Sequence, residues 1–411
     1  MSFSSVDITA RTNCERASGR VWSIWSVFAG VMLVLAITIA VRIYQPTGWL
    51  GSDDAAYYSA AEHILSGTPI TRAHHHYARM AIIIPVAASV AVFGHHPWAV
   101  ALPMFAASVI CVLLVIVLGK LLFGWREGLL AGLIVSVLPY FRALSTTAYA
   151  DAHVCLWVTA SVLLCVVGLR AQRRVPYPNP KRQRGAVWPV ARAPGSVWYF
   201  TACGFALGLA ISSKVFAATT ICGIVALIAS APKLRLFRVA WPSAAPPCSS
   251  RNMPAPDKAG LGHATLDPQY WSCQAISAER RSWRRIAEAF LAVAFGGLMF
   301  FLMEGAFYSH FANDFLFSLH AHEQSQTGVP AMAGENAAAS TGIAALIWDR
   351  LTLLMYPSIS GWGWLGAAFW PAVFLSFLFG GAARCMAIWA AGTFLLIAFT
   401  PVSLVDGYQP Y

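Results

Sequence analysis

The chain has 411 residues, of which 58% are hydrophobic, 13% aromatic and only 11% charged, and its formal net charge is +11. A typical soluble domain has about 25% charged residues, so this composition excludes an ordinary soluble enzyme, and the apolar content excludes a disordered chain. The class that remains is an all-α polytopic membrane protein. Nine cysteines are scattered without a CxxC pair, which is typical of small apolar fillers and not of a disulfide framework.

Apolar runs of about 20 residues, the length that crosses a bilayer, recur along the chain. They predict nine transmembrane helices, near residues 22–43, 98–119, 127–145, 152–170, 196–213, 215–232, 286–308, 362–381 and 385–401. A further run, 81–93, is too short to cross comfortably and predicts a helix that lies in the interface or re-enters the membrane. The first run follows three arginines and has no small-residue cleavage site after it, which favours a signal anchor.

The basic residues predict the orientation of these helices. Segments 170–195 and 233–285 hold 16 of the 28 Lys and Arg residues, whereas 304–349 holds none. The positive-inside rule therefore places both basic segments and the N-terminus in the cytoplasm, and it places 44–97, 146–151 and 306–350 outside. The positive charge is a topology signal, and nucleic-acid binding is not expected because the basic stretches lack interleaved aromatics.

The same pattern divides the chain into four regions. We expect a cytoplasmic N-terminus at 1–21 and a membrane core at 22–232 with its functional outer loop at 44–97. A cytoplasmic insertion follows at 233–285, and membrane helices occupy 286–411 with an outer loop at 306–350. The insertion is rich in Pro, Ala and Ser around 241–275, which predicts that the insertion is disordered.

The first outer loop carries two adjacent acids, Asp53 and Asp54. An apolar stripe at helical spacing follows them, and Gly67 is expected to end the helix. The acids would then lie at the helix N-terminus, where the helix dipole favours negative charge. One acid would suffice as a cap, so two beside a membrane also fit a general base or a metal ligand.

Two more charged residues lie close to predicted helix ends. Asp151 is at the outer mouth between two crossings, where it is either a helix cap or a functional acid on the same face as Asp53. Lys214 interrupts an apolar stretch, and such a lysine either snorkels to the interface or marks a functional site. Its ammonium could hold a lipid-linked phosphate as a point charge.

A histidine-rich segment, His74 to His76, follows in the outer loop between Arg72 and Arg79. These arginines are the only cations of 44–97, which suits an anion site beside the carboxylates. Candidate contacts to substrate or to a divalent metal are His75, His76 and, next to Asp151, His153. The alternative is a polar interfacial segment that contacts lipid head groups.

Four blocks between residues 50 and 232 resemble, in order and spacing, the GT-C glycosyltransferases that use polyprenyl-phosphate sugars. The nearest groups are the protein O-mannosyltransferases and the lipid A aminoarabinose transferases. The blocks are SDDAAYYSAAEHILSG, PVAASVAVFGHHPWAVALP with the helices after it, TTAYADAHVCLWVTASVLL, and GFALGLAISSKVFAATTICGIVAL. Near Tyr77-Ala78 the aminoarabinose enzymes carry an acidic–basic pair that this chain lacks, and its neighbours His76 and Arg79 are the expected substitutes.

The resemblance implies an inverting transfer of a sugar from a polyprenyl phosphate to a hydroxyl of a protein, lipid or glycan outside the membrane. Asp53 matches the family's catalytic acid, Asp54 the following acidic position, Asp151 the second outer acid and Lys214 the lysine of the glycine-rich helix pair. Asp53 would be the base, and the cations Arg72, Arg79 and Lys214 would bind the donor phosphate. No cofactor is required by this chemistry, although the acids and histidines could also hold a divalent metal.

Two other functions fit the same pattern. A transporter or flippase of a lipid-linked or anionic solute would also be polytopic, but transporters usually show repeats and broken helices at mid-membrane. The chain could also be an inactive, truncated homologue. The Pro-rich loops favour a bacterial inner membrane as the location.

Overall fold

The computed structural model describes residues 24–70, 76–173, 194–214, 217–218, 220–230, 268–321, 371–376 and 387. Helix is the only regular structure in these ranges, which confirms the predicted all-α class. The helices, numbered here in chain order, are α1 Ile24–Tyr44, α2 Asp53–Ser66, α3 Met80–Phe93, α4 Pro97–Leu122, α5 Trp125–Val137, α6 Pro139–Leu144, α7 Asp151–Arg173, α8 Pro194–Ser213, α9 Thr220–Ser230 and α10 Pro268–Phe311.

Five helices in the described part of the chain are long and apolar enough to cross a membrane. They are α1, α4, α7, α8 and the Trp283–Phe311 part of α10. This confirms the polytopic class and five of the predicted crossings. The crossings predicted near 362–381 and 385–401 lie almost wholly outside the described residues.

The helix predicted from the short run 81–93 is α3, which has 14 residues and contains Pro85. It is apolar except for Ser89, and eight of its side chains are buried, six of them in a core cluster that also includes Tyr57 from α2 and Tyr308 from α10. The helix is therefore packed within the protein, between α2 and α10.

Three predicted boundaries differ from the structure. The run 127–145 is two helices, α5 and α6, because Pro139 cannot donate a backbone N–H and holds Leu138 in an extended conformation (ψ 118°). The described helix in 215–232 is only α9, at Thr220–Ser230. Residues 268–285, part of the insertion predicted to be disordered, form the first turns of α10, where Pro268 takes the favoured first position and helix-forming Ala, Glu, Gln and Arg follow.

Helices α8 and α10 approach each other through glycines. A Cβ atom added to Gly204 would lie 1.9 Å from the backbone oxygen of Val293, and one added to Gly296 would lie 1.9 Å from that of Thr201. Small residues at such contacts let helix backbones approach closely inside a membrane. The contact fixes the position of α8 along α10, and with it the position of the C-terminal end of α8.

Replacing Gly204 with alanine is therefore expected to destabilise the protein by about 1–3 kcal/mol, the usual cost of overpacking. The measurement is the thermal midpoint of the detergent-purified protein. Gly195→Ala is the matched control on the same helix, because nothing lies within 4 Å of its added Cβ atom. Equal midpoints for the two variants would contradict this account of the contact.

Alternating helix directions bring several helix ends to one end of the bundle, which we call the site end. The segment after α1 meets the segment before α7 there, through a 2.9 Å hydrogen bond from the Thr47 N–H to Thr146 Oγ1. The segment after α2 meets the end of α10, through a 2.9 Å bond from the Ile70 N–H to the Phe311 carbonyl. The starts of α2 and α7 are therefore grouped in one region, and the end of α8 joins them because Lys214, the residue after it, contacts Asp151.

Candidate active site

Asp53 is the first residue of α2, and its carboxylate contacts two basic side chains from the segment before α3. His76 Nε2 lies 3.2 Å from Oδ1, and Arg79 Nη1 lies 3.8 Å from Oδ2. The Asp53 side chain keeps 25% of its surface exposed. His76 and Arg79, the residues expected to substitute for the missing acidic–basic pair, thus both contact this acid, and the carboxylate stays accessible.

Tyr57, one turn further along α2, is fully buried next to this cluster. Arg79 donates a hydrogen bond to its hydroxyl, and the His76 ring packs edge-on against the Tyr57 ring at 5.5 Å. Burial raises the pKa of the Tyr57 hydroxyl well above its usual value; Arg79 opposes this, and the negative charges of Asp53 and Asp151 add to it. The hydroxyl therefore stays protonated and serves as a hydrogen-bonding partner of Arg79.

Asp54 has a different environment from its neighbour. Its side chain is buried, and its two oxygens accept four backbone hydrogen bonds, from the N–H groups of Leu50 (2.6 Å), Gly51 (3.2 Å), Ser52 (2.7 Å) and Ala55 (3.0 Å). A carboxylate that gathers the N–H groups before a helix stabilises that helix start. Asp54 thus stabilises the turn that positions Asp53.

The predicted second acid and the predicted lysine form an ion pair. Lys214 Nζ, just past the end of α8, lies 3.0 Å from Asp151 Oδ1 at the start of α7. The two side chains are 19% and 24% exposed, so the pair faces an opening and is not sealed in the core. The residues just before the two acids also contact each other, because Ser52 Oγ and the Tyr149 hydroxyl lie 2.9 Å apart, so this pair and the Asp53 cluster share one region of the site end.

The remaining candidates are not brought into this cluster. His153 is buried on α7, where its Nδ1 lies 3.0 Å from Met104 Sδ. Arg72 and His75 fall outside the described residues. Within the described ranges, no three His, Cys, Asp or Glu side chains are grouped as ligands for a metal ion.

The sequence patterns did not single out Glu304 as a site residue, although it lies within the apolar part of α10. Its carboxylate is buried and accepts a 2.5 Å hydrogen bond from Ser212 Oγ, two residues before Lys214. An ionisable residue inside a membrane helix is by default a functional candidate, and this signal could have identified it. The bond ties the end of α8 to α10 next to the Lys214–Asp151 pair.

Residues 81–177 match the family model described as dolichyl-phosphate-mannose-protein mannosyltransferase, which confirms for this part of the chain the resemblance to the glycosyltransferases that use lipid phosphates. No curated protein matches the chain.

The chain also resembles solved structures, at TM-scores below 0.5. One is the archaeal oligosaccharyltransferase AglB from Archaeoglobus fulgidus in complex with an inhibitory peptide and a dolichol-phosphate, at 12% identity and a TM-score of 0.49, with 93% of this chain and 49% of that chain covered. Another is ArnT from Cupriavidus metallidurans bound to undecaprenyl phosphate, at 16% identity and a TM-score of 0.42, with 92% and 61% covered. The chain thus spans about half and about three fifths of their lengths.

Proposed function

We propose that the chain is a membrane glycosyltransferase that moves a sugar from a polyprenyl phosphate to a hydroxyl acceptor, with inversion at the anomeric carbon. The observation that carries the proposal is the grouping of two ion pairs, Asp53 with Arg79 and Asp151 with Lys214, at one end of an apolar bundle. The family match over 81–177 supports the same reaction.

Asp53 is the general base of the proposed reaction, since its carboxylate is fixed by two neighbours and still partly exposed. It takes the proton of the acceptor hydroxyl as the acceptor oxygen forms a bond to the anomeric carbon of the sugar. The bond between that carbon and the phosphate oxygen breaks at the same time, and the polyprenyl phosphate leaves with the electron pair. Asp54 is a positioning residue that shapes the turn before α2.

Lys214 and Arg79 stabilise the negative charge that grows on the departing phosphate. A lysine ammonium has three N–H donors, and the contact with Asp151 uses one of them and orients the group. Asp151 therefore acts through Lys214. Arg72, which precedes the histidine-rich segment, is a further candidate for the same phosphate.

The site end lies on the extracytoplasmic side of the membrane in this proposal, and the membrane is the inner membrane of a bacterium. Helix α7 ends, and the apolar part of α10 begins, at the opposite end of the bundle, and in the sequence these two points adjoin the basic segments 170–195 and 233–285. The positive-inside rule puts such segments in the cytoplasm.

The test is mass spectrometry of lipids and glycans from host cells with and without this chain. We expect a sugar-bearing product that needs the chain, together with accumulation of a polyprenyl-phosphate sugar when the chain is deleted. Unchanged lipids and glycans in cells that hold the properly inserted protein would contradict the proposed function.

A further inference from the structure

Two buried polar side chains, Glu304 and Tyr308, interrupt the apolar part of α10 near the site end. Glu304 is the only ionisable residue between Ala289 and Phe307. It is 8% exposed, and Tyr308 is fully buried. Because they are four residues apart, the two side chains lie on one face of the helix, about one turn from each other. Burial of such groups costs free energy unless they are hydrogen-bonded, so their partners indicate their role.

Glu304 anchors the end of α8. Its carboxylate accepts the 2.5 Å hydrogen bond from Ser212 Oγ, and Ser212 is in the last turn of that helix. The same turn continues to Lys214, whose backbone N–H donates to the Ala210 carbonyl at 3.0 Å. A shift of Ser212 would therefore also move Lys214, one of the two cations proposed to bind the donor phosphate.

Tyr308 anchors the segment that carries the other cation, Arg79. Its hydroxyl donates a 3.1 Å hydrogen bond to the backbone carbonyl of Tyr77, two residues before Arg79. The Tyr77 hydroxyl in turn donates to Ser59 Oγ on α2 at 3.0 Å. The backbone before Arg79 is thus anchored to both α10 and α2, and from this segment the arginine side chain approaches Asp53.

We infer that Glu304 and Tyr308 are positioning residues that set the separation of the two phosphate-binding cations. Lys214 and Arg79 come from distant parts of the sequence, and the elements that carry them are hydrogen-bonded to one face of α10. Cations that contact one phosphate must lie at a fixed separation, and a misplacement of about 1 Å can cost about 100-fold in rate. The inference rests on the proposed function and names two further residues that serve it.

The alternative is that both hydrogen bonds only stabilise the packing of α10. The two roles differ in how each residue depends on the cations. If Glu304 acts through Lys214, its loss has no further effect once Lys214 is removed, but it still weakens a protein that lacks Arg79. For Tyr308 the dependence is reversed. A residue that only stabilises the fold gives the same loss in both backgrounds.

The test measures the dissociation constant of polyprenyl phosphate with the purified full-length protein. We expect Glu304→Leu and Tyr308→Phe each to weaken binding about tenfold, the usual size of the effect of one lost hydrogen bond. Glu304→Leu should change nothing further in Lys214→Met, and Tyr308→Phe nothing further in Arg79→Met, whereas the crossed combinations should lose the full factor. Glu304→Gln should bind like wild type, because its amide oxygen accepts the same hydrogen bond. Ser212→Ala removes that bond from the other side and replaces Glu304→Leu if the latter folds poorly.

The matched controls are Glu288→Leu on the same helix and Tyr199→Phe on α8. Glu288 pairs with Arg284, Tyr199 is 39% exposed, and both lie at the opposite end of the bundle, so both variants should bind like wild type.

Three results would overturn the inference: unchanged binding in Glu304→Leu and Tyr308→Phe, equal losses in both cation backgrounds, or a loss in Glu304→Gln as large as in Glu304→Leu. Sugar transfer by wild type, measured separately, tests the proposed function. A protein that shows the crossed pattern of binding but transfers no sugar would overturn the proposed function and leave the positioning roles in place. A wild-type protein that does not bind polyprenyl phosphate would overturn both.

Discussion

Replacing Asp53 with asparagine is expected to lower the rate of sugar transfer by about 1,000-fold, within the usual contribution of a general base. The amide keeps the shape of the side chain and can still accept a hydrogen bond from His76 or Arg79, but it cannot take the acceptor proton. The measurement is transfer of isotope-labelled sugar from a polyprenyl phosphate in membranes that contain equal amounts of each protein. Wild-type rates in Asp53→Asn would end the assignment of the base.

Asp54→Asn separates chemistry from folding at the same helix start. The change removes a charge that accepts four backbone hydrogen bonds, and hydrogen bonds to a charged group contribute about 1.5–3 kcal/mol. We therefore expect Asp54→Asn to lower the thermal midpoint clearly, whereas Asp53→Asn leaves it near wild type. A low midpoint in both variants would mean that Asp53 also acts mainly in folding.

Replacing Lys214 with methionine is expected to lower transfer by about 100- to 1,000-fold, the usual effect of removing one group that stabilises a developing negative charge. The substitution keeps the length and apolar stem of the side chain and removes the ammonium that contacts Asp151. Both kcat and the apparent affinity for the donor should fall, because the phosphate carries charge before and after the transfer. The measurement is steady-state transfer against donor concentration.

Lys120→Met is the matched control for this change, because Lys120 is another lysine of an apolar helix and lies over the Trp125 ring at 4.5 Å, at the opposite end of the bundle. Its activity should equal that of wild type. Asp151→Asn should reduce transfer less than Lys214→Met, and the double variant should resemble Lys214→Met because Asp151 acts through the lysine. If the losses of the two single variants multiply in the double variant, Asp151 has a role that is separate from Lys214.

Local rules predicted much of the fold. The α2 helix begins at the two acids and ends at Gly67, which has a φ of +67° and takes the left-handed conformation that glycine favours. Apolar length located the crossings α1, α4, α7, α8 and part of α10, because the bilayer thickness sets that length. Hydropathy alone failed at Pro139, where the backbone and not the side-chain polarity ends the helix.

The site could be predicted only in part. Topology alone indicated that Asp53, Asp151 and Lys214 lie at one end, but the pairing of Lys214 with Asp151 depends on how α7 and α8 pack. The different environments of Asp53 and Asp54 arise from the turn at 50–52, which no periodic pattern encodes. The sequence patterns did not identify Tyr57 as a site residue. It lies in a helix with an apolar stripe, and such a pattern does not indicate that one hydroxyl contacts an arginine.

The most direct measurement is turnover by the purified protein supplied with a polyprenyl-phosphate sugar and a mixture of hydroxyl acceptors. We expect polyprenyl phosphate and a glycosylated acceptor to appear in equal amounts, and neither to appear with Asp53→Asn. Movement of the donor or another anion across the membrane of proteoliposomes, without cleavage of the sugar–phosphate bond in any acceptor mixture, would contradict the proposed function and identify a transporter.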